Sequence, residues 1–248
     1  MSDTPLKAYK NPDFIQSREA RTVRILCEYI EPEKRLHEMN INHTVVFFGS
    51  ARIHPEANKD PKMTQYYWAA EELAYRLAEW SKTLPKDVDF HVCTGGGPGI
   101  MEAANRGAGR AGAETIGYNI SLPFEQHPNE YITPDLNFEF HYFFMRKLWF
   151  LYHAKALIAF PGGFGTLDEL FEVLTLKQTK KLEKHEIPIL LFDKEYWDQI
   201  VNFDRLAEMG LISPEDLKLF HFFESPEEGF EYLSKRLVHL MNITNYRV

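Results

Sequence analysis

Three glycine-bearing turns stand where short apolar runs end: Phe48-Gly49-Ser50-Ala51, Cys93-Thr94-Gly95-Gly96-Gly97-Pro98-Gly99-Ile100-Met101 and Phe160-Pro161-Gly162-Gly163-Phe164-Gly165-Thr166. Glycine lets backbone amides approach an anion closely, and a helix that follows such a turn adds unpaired N–H groups and the positive end of its dipole. Two dense runs of this kind in one domain can surround a phosphate, with Gly95, Gly96 and Gly97 on one side and Gly162, Gly163, Gly165 and Thr166 on the other. Neither run is a dinucleotide fingerprint, because the third glycine is replaced by Ile100 in one and by Asp168 in the other. Neither supplies the Gly-Lys-Ser/Thr of a P-loop.

Charged groups accompany the glycines. Glu169 lies three residues beyond Thr166, and a carboxylate there would repel a phosphate, so its useful partner is a sugar, a water or a developing cation. The same four residues, Thr166-Leu167-Asp168-Glu169, also match a capping box in which Thr166 caps a helix and Glu169 bonds back to it. Asp168 is read as a favourable charge at a helix N-terminus. Arg146 and Lys147 interrupt the apolar segment Tyr142 to Leu151, and at least one of the two is expected to face the anion site. The ten histidines show no metal-ligand spacing, so no metal and no cofactor is expected.

Elements able to position these residues alternate along the chain. Apolar runs at Thr44 to Phe48, Phe90 to Cys93, Thr115 to Tyr118, Ala156 to Phe160 and Ile187 to Phe192 read as buried strands, with a further pair around Leu219 to Phe223 and Glu227 to Leu240. Helical lengths lie between them at Met63 to Lys82, Ile100 to Ala111, His141 to His153, Leu167 to Lys180 and Glu195 to Met209. The alternation predicts an α/β, Rossmann-like three-layer fold with a mostly parallel sheet flanked by helices. Residues 1–43 read as a helical appendage, Ser17 to Asn40 being interrupted at Pro32, and 44–248 as one nucleotide-binding domain. Ser121 to Asp135, with three prolines, is the longest structureless candidate and could overhang a site.

Composition excludes several classes. The 36 acidic against 28 basic residues give a net charge of −8, which opposes nucleic-acid binding. Two distant cysteines, Cys27 and Cys93, form no metal or disulfide framework and fit a reducing cytoplasm. The chain starts with no leader-like pattern, and no run approaches the roughly 18 apolar residues of a membrane span.

Gly95 to Asn105 and Pro161 to Glu169 together resemble the paired signatures of the LONELY GUY (LOG) phosphoribohydrolases, a family also labelled lysine decarboxylase-like. The resemblance covers roughly Thr44 to Phe192. It implies hydrolysis of the N-glycosidic bond of a nucleoside 5′-monophosphate, a cytokinin riboside monophosphate or AMP, to free base and ribose 5-phosphate. Arg146 and Glu169 match the family's catalytic pair and Lys147 the lysine after that arginine. Gly162, Gly163, Gly165 and Thr166 match its phosphate loop, and Gly49-Ser50 its glycine-serine turn. Phe143 and Phe144 replace the Met-His of plant-like members, and Phe143 is expected to stack on the base. On this reading Glu169 stabilises an oxocarbenium-like sugar or positions water, while Arg146 orients the substrate and holds Glu169 ionised. Family likeness and symmetry imply a homodimer. A non-catalytic carrier of a nucleotide or of a molybdenum-type cofactor is the alternative. Decarboxylation through pyridoxal finds no support in any local lysine pattern.

Overall fold

The computed structural model describes residues 5–56, 58, 60–122, 127–182 and 187–243. In chain order these form α1 (Pro12–Gln16), α2 (Arg21–Glu38), β1 (Thr44–Phe48), α3 (Pro61–Ser81), β2 (His91–Thr94), α4 (Ile100–Arg110), β3 (Thr115–Ile120) and β4 (Asn137–Phe140). There follow α5 (Phe143–Tyr152), β5 (Ala154–Ala159), α6 (Phe164–Gln178), β6 (Ile189–Phe192), α7 (Lys194–Ile200), α8 (Phe203–Glu208), β7 (His221–Phe223) and α9 (Pro226–Leu240), with one short 3-10 turn before α1 and two between later elements. The strands make one seven-stranded sheet in the order β4-β3-β2-β1-β5-β6-β7, and every pairing is parallel.

Successive residues of β1 show why the sheet is covered on both faces. Val45 and Phe47 pack with α3, α4 and α9 residues such as Leu73, Ile100 and Leu233. Val46 and Phe48 point the other way, into a second core with Trp149 of α5, Leu170 of α6 and Trp197 of α7. A strand buried on both faces has no solvent-facing positions to alternate, hence the continuous apolar run Val45–Phe48. Strand order runs outward from β1 in both directions, so the switch point lies between β1 and β5. Phe48 pairs with Ala159 and Phe47 with Thr94, which brings the glycine turns after β1, β2 and β5 together at the carboxyl ends of the strands.

Four local expectations change. Pro32 does not interrupt its helix; it lies buried inside α2. Proline removes the N–H that would bond to the Glu28 carbonyl, and the indole Nε1–H of Trp149 donates to that carbonyl instead, at 2.9 Å. β4 is an added edge strand that falls between the expected elements. The single helix expected from Glu195 to Met209 is two, because Asn202 starts α8 by accepting the Arg205 N–H at 2.8 Å. Finally, the Ser121 to Asp135 stretch contains a 3-10 turn at Pro134–Leu136, and its residues 123–126 lie outside those described.

Candidate active site

The three glycine turns are stitched to one another by backbone. Ser50 N–H donates to the Pro161 carbonyl at 3.0 Å, and Ile100 N–H donates to the Ser50 carbonyl at 3.1 Å. They border a cavity of about 740 Å³ whose lining includes Gly49, Ser50, Gly95, Phe143, Arg146, Gly162, Gly163, Gly165, Thr166 and Glu169. Gly96, Gly97 and Lys147 do not line it.

The reason is visible in the hydrogen bonds. Gly96 N–H is spent on Thr94 Oγ1 at 2.9 Å, and the Asn129 side-chain amide donates to the carbonyls of Gly96 and Gly97 at 3.1 and 3.0 Å. Asn105 Oδ1 in turn accepts from Thr94 and Asn129 at 2.7 and 2.9 Å. The second glycine run is thus locked by its own polar network and shapes the wall, while Gly95 alone of the three meets the cavity. A Cβ there would lie 2.3 Å from Arg146 Nη2, so glycine is what lets the guanidinium in.

Arg146, on α5, donates from Nε to the Tyr118 carbonyl at 2.6 Å and from Nη2 to the Gly95 carbonyl at 3.3 Å. Its guanidinium carbon sits 4.9 Å from the centre of the Phe150 ring. Burial lowers its pKa from the ordinary arginine value, against an opposing pull from Glu169. Lys147 turns the other way and pairs with Asp168 and Glu172 of α6 at 2.9 and 3.0 Å. Of the basic pair, then, Arg146 alone faces the cavity, and Asp168 is half of a surface ion pair.

The third glycine turn corrects the capping-box expectation. Helix α6 starts at Phe164 with Gly163 as its N-cap, and no side chain caps it. Thr166 is therefore the third helical residue, buried rather than bonded back, and Glu169 falls in the second turn. First-turn N–H groups have no intrahelical partner, and those of α6 meet no acceptor among the described residues, so they are left for solvent or an anion. Just outside the helix, the Tyr196 hydroxyl accepts from Gly162 N–H at 3.2 Å and donates to its carbonyl at 2.7 Å, fixing the loop.

Glu169 is 7% exposed, lines the cavity and makes no hydrogen bond or ion pair among the described residues. Burial pushes its pKa from 4.5 up to about 7, outweighing the attraction of Arg146 and Lys147. Arg146 does not hold it fully ionised, contrary to the expectation above. An apolar wall of Met101, Ile120, Leu122, Phe143 and Phe150 completes the cavity. Sequence patterns missed Asn105 as the lock of the second glycine run, and Tyr196 and Arg52, which reach the site from outside the glycine runs.

Among the described residues no three His, Cys, Asp or Glu side chains converge as metal ligands, and no helix is long and apolar enough to cross a membrane. Both cysteines are free thiols.

A seven-stranded parallel sheet with glycine turns at its switch point and helices on both faces defines a Rossmann-like α/β protein. The family model described as "Possible lysine decarboxylase" matches residues 101–233. Cytokinin riboside 5′-monophosphate phosphoribohydrolase LOG1 of Arabidopsis thaliana is 32% identical over 182 residues, 71% of this chain and 75% of that protein. LOG2 of the same plant, carrying the same enzyme name, is 30% identical over 172 residues, 68% and 71% of the two chains. The chain belongs to the LOG family, the lysine decarboxylase-like group of Rossmann-fold proteins. Two solved structures share the fold. One is the molybdenum cofactor binding protein of Rippkaea orientalis, with a TM-score of 0.51 at 20% identity over 77% of this chain and 94% of that one. The other is the molybdenum cofactor carrier protein of Chlamydomonas reinhardtii, at 0.52 and 18% over 79% and 99%.

Proposed function

We propose that this protein hydrolyses the N-glycosidic bond of a nucleoside 5′-monophosphate, AMP or its N6-isopentenyl derivative, releasing the base and ribose 5-phosphate. One observation carries the reading: a buried, unpartnered carboxylate with a pKa of about 7 shares a cavity with the uncapped N-terminus of a helix. The helix end suits a phosphate, and the carboxylate suits the chemistry at the sugar.

In the proposed reaction the phosphate takes the first-turn amides of α6 and the Thr166 hydroxyl, and the base lies against the apolar wall at Phe143 and Phe150. Glu169 takes a proton from water as the water oxygen bonds to C1′. The C1′–N bond breaks with its electron pair going to the base, which then receives the proton from Glu169. A pKa near 7 suits a group that must both accept and return a proton at neutral pH. Arg146, already fixed on two carbonyls, orients the ribose hydroxyls and offsets the negative charge around it.

Incubation with AMP and with isopentenyladenosine monophosphate, followed by chromatography, tests the proposal. Free base is the expected product, and Glu169→Gln is expected to lose about a hundredfold or more in rate. Both nucleotides returned intact would instead fit a carrier and end the enzymatic reading.

A further inference from the structure

Among the described residues two basic side chains line the cavity, Arg146 and Arg52. Arg146 has its guanidinium committed to the carbonyls of Tyr118 and Gly95. The neighbouring cations are committed too, Lys147 to Asp168 and Glu172, and Lys62 to Asp193 and Glu195 at 2.9 Å each. Arg52 differs from all of these: among the described residues its guanidinium makes no hydrogen bond, ion pair or ring contact.

Its backbone is nevertheless held. Arg52 N–H donates to Ser50 Oγ at 3.1 Å, and Ser50 is itself tied to Pro161, so the turn that carries Arg52 is fixed to the loop that begins α6. Together with Ser50, Gly162 and Tyr196, Arg52 lines both the main cavity and an adjoining one of about 620 Å³. It therefore stands at the junction of the two, on the side where α6 starts.

A phosphate dianion entering here meets a protein of net charge −8 and a cavity that already holds Asp168 and Glu169. The helix end supplies only about half a positive charge. An uncommitted guanidinium, able to donate two parallel N–H bonds to phosphate oxygens, supplies the rest. We propose that Arg52 is the specificity residue for the 5′-phosphate, closing onto it from the turn after β1 and separating nucleotides from nucleosides. This rests on the nucleotide reading above.

Arg52 is exposed and has no partner among the described residues, so its replacement is expected to leave the fold intact. In steady-state hydrolysis of AMP, Arg52→Ala is expected to raise KM roughly 10- to 100-fold, the range for a charge-assisted bond, with Arg52→Lys in between because it keeps the charge and loses the fork. Competition by adenosine, which has no phosphate, is expected to be unchanged. An unaltered KM for AMP, or equal weakening of AMP and adenosine, overturns the assignment. Should the wild-type protein cleave no nucleotide, the hydrolase reading fails separately, and calorimetric titration of AMP into wild-type and Arg52→Ala protein decides this one. Binding weakened by the same factor supports it; equal binding, or none to either protein, overturns it.

Discussion

Glu169→Gln should make the protein more stable while making it inactive, and the size of the gain follows from the burial of that carboxyl. In the unfolded chain the group titrates near 4.5; in the folded protein burial moves it to about 7. Between those two values the folded state holds a proton that the unfolded state has released, so stability falls as pH rises through this window. At about 1.4 kcal/mol per pH unit, the folded protein above pH 7 carries about 3 kcal/mol of destabilisation from this one charge. The attraction of Arg146 and Lys147 is already contained in that net shift, since both act to lower the value. Glutamine is close in shape to the protonated acid and does not titrate. Urea unfolding of both proteins should therefore give nearly equal stabilities at pH 4.5 and a variant about 3 kcal/mol more stable at pH 8. The same group should appear in the wild-type rate, with kcat/KM falling about tenfold per pH unit below 7 as the base is protonated. Equal stabilities at both pH values, or a rate limb near 4.5, would refute the claim that burial governs this carboxylate.

Other perturbations isolate the parts that support it. Gly95→Ala places a methyl 2.3 Å from Arg146 Nη2 and 2.8 Å from Met101 Sδ. Both are side-chain ends able to move, so the protein should fold with a loss of about 1–3 kcal/mol, and nucleotide cleavage should collapse as Arg146 is displaced; full activity would show that Arg146 has no role in position. Trp149→Phe removes the donor that satisfies the Glu28 carbonyl beneath Pro32 and should cost about 2 kcal/mol in denaturant unfolding, with the rate preserved. Gly163→Asp adds a side chain at an N-cap position with open space around it. The new carboxylate should cap α6, raise stability by up to about 1 kcal/mol and exclude the phosphate by charge, seen as a raised thermal midpoint with weakened AMP binding; unchanged AMP affinity would place the phosphate elsewhere.

How much of this was legible depended on how local each cause is. The central strands announce themselves because burial on both faces favours apolar residues, as in the run Val45–Phe48 of β1. β4 does not: Asn137 and Glu139 face outward while Phe138 and Phe140 face inward, and four residues of that alternation are too few to stand out. Pro32 reads as a helix breaker unless one knows that Trp149, over a hundred residues away, accepts the vacated role of donor to Glu28. In the site, Arg146 was visible as a charge inside an apolar helix, but its separation from Lys147 was not. That depends on which acceptors each meets, the carbonyls of Tyr118 and Gly95 for one and α6 carboxylates for the other. Tyr196 gave no signal at all, since its grip on Gly162 spans 34 positions.

The starting point of α6 is where sequence and structure part most consequentially. With Thr166 as cap, Glu169 would sit in the exposed first turn, its charge satisfied by backbone and its pKa unremarkable. The helix instead begins three residues earlier on glycines, whose lack of side chains leaves no intrinsic cap. A Cβ at Gly162 would stand 2.1 Å from the Thr166 hydroxyl oxygen, so the threonine packs against the loop that precedes the helix it was expected to cap. That one change of register has two effects. It leaves the first-turn amides without an acceptor among the described residues, and it buries Glu169 in the cavity wall, where burial rather than hydrogen bonding sets its proton affinity. On the proposed reading, the phosphate site and the carboxylate poised near neutral pH are thus a single consequence of where this helix starts, and a cap supplied at Gly163 should remove the first without touching the second.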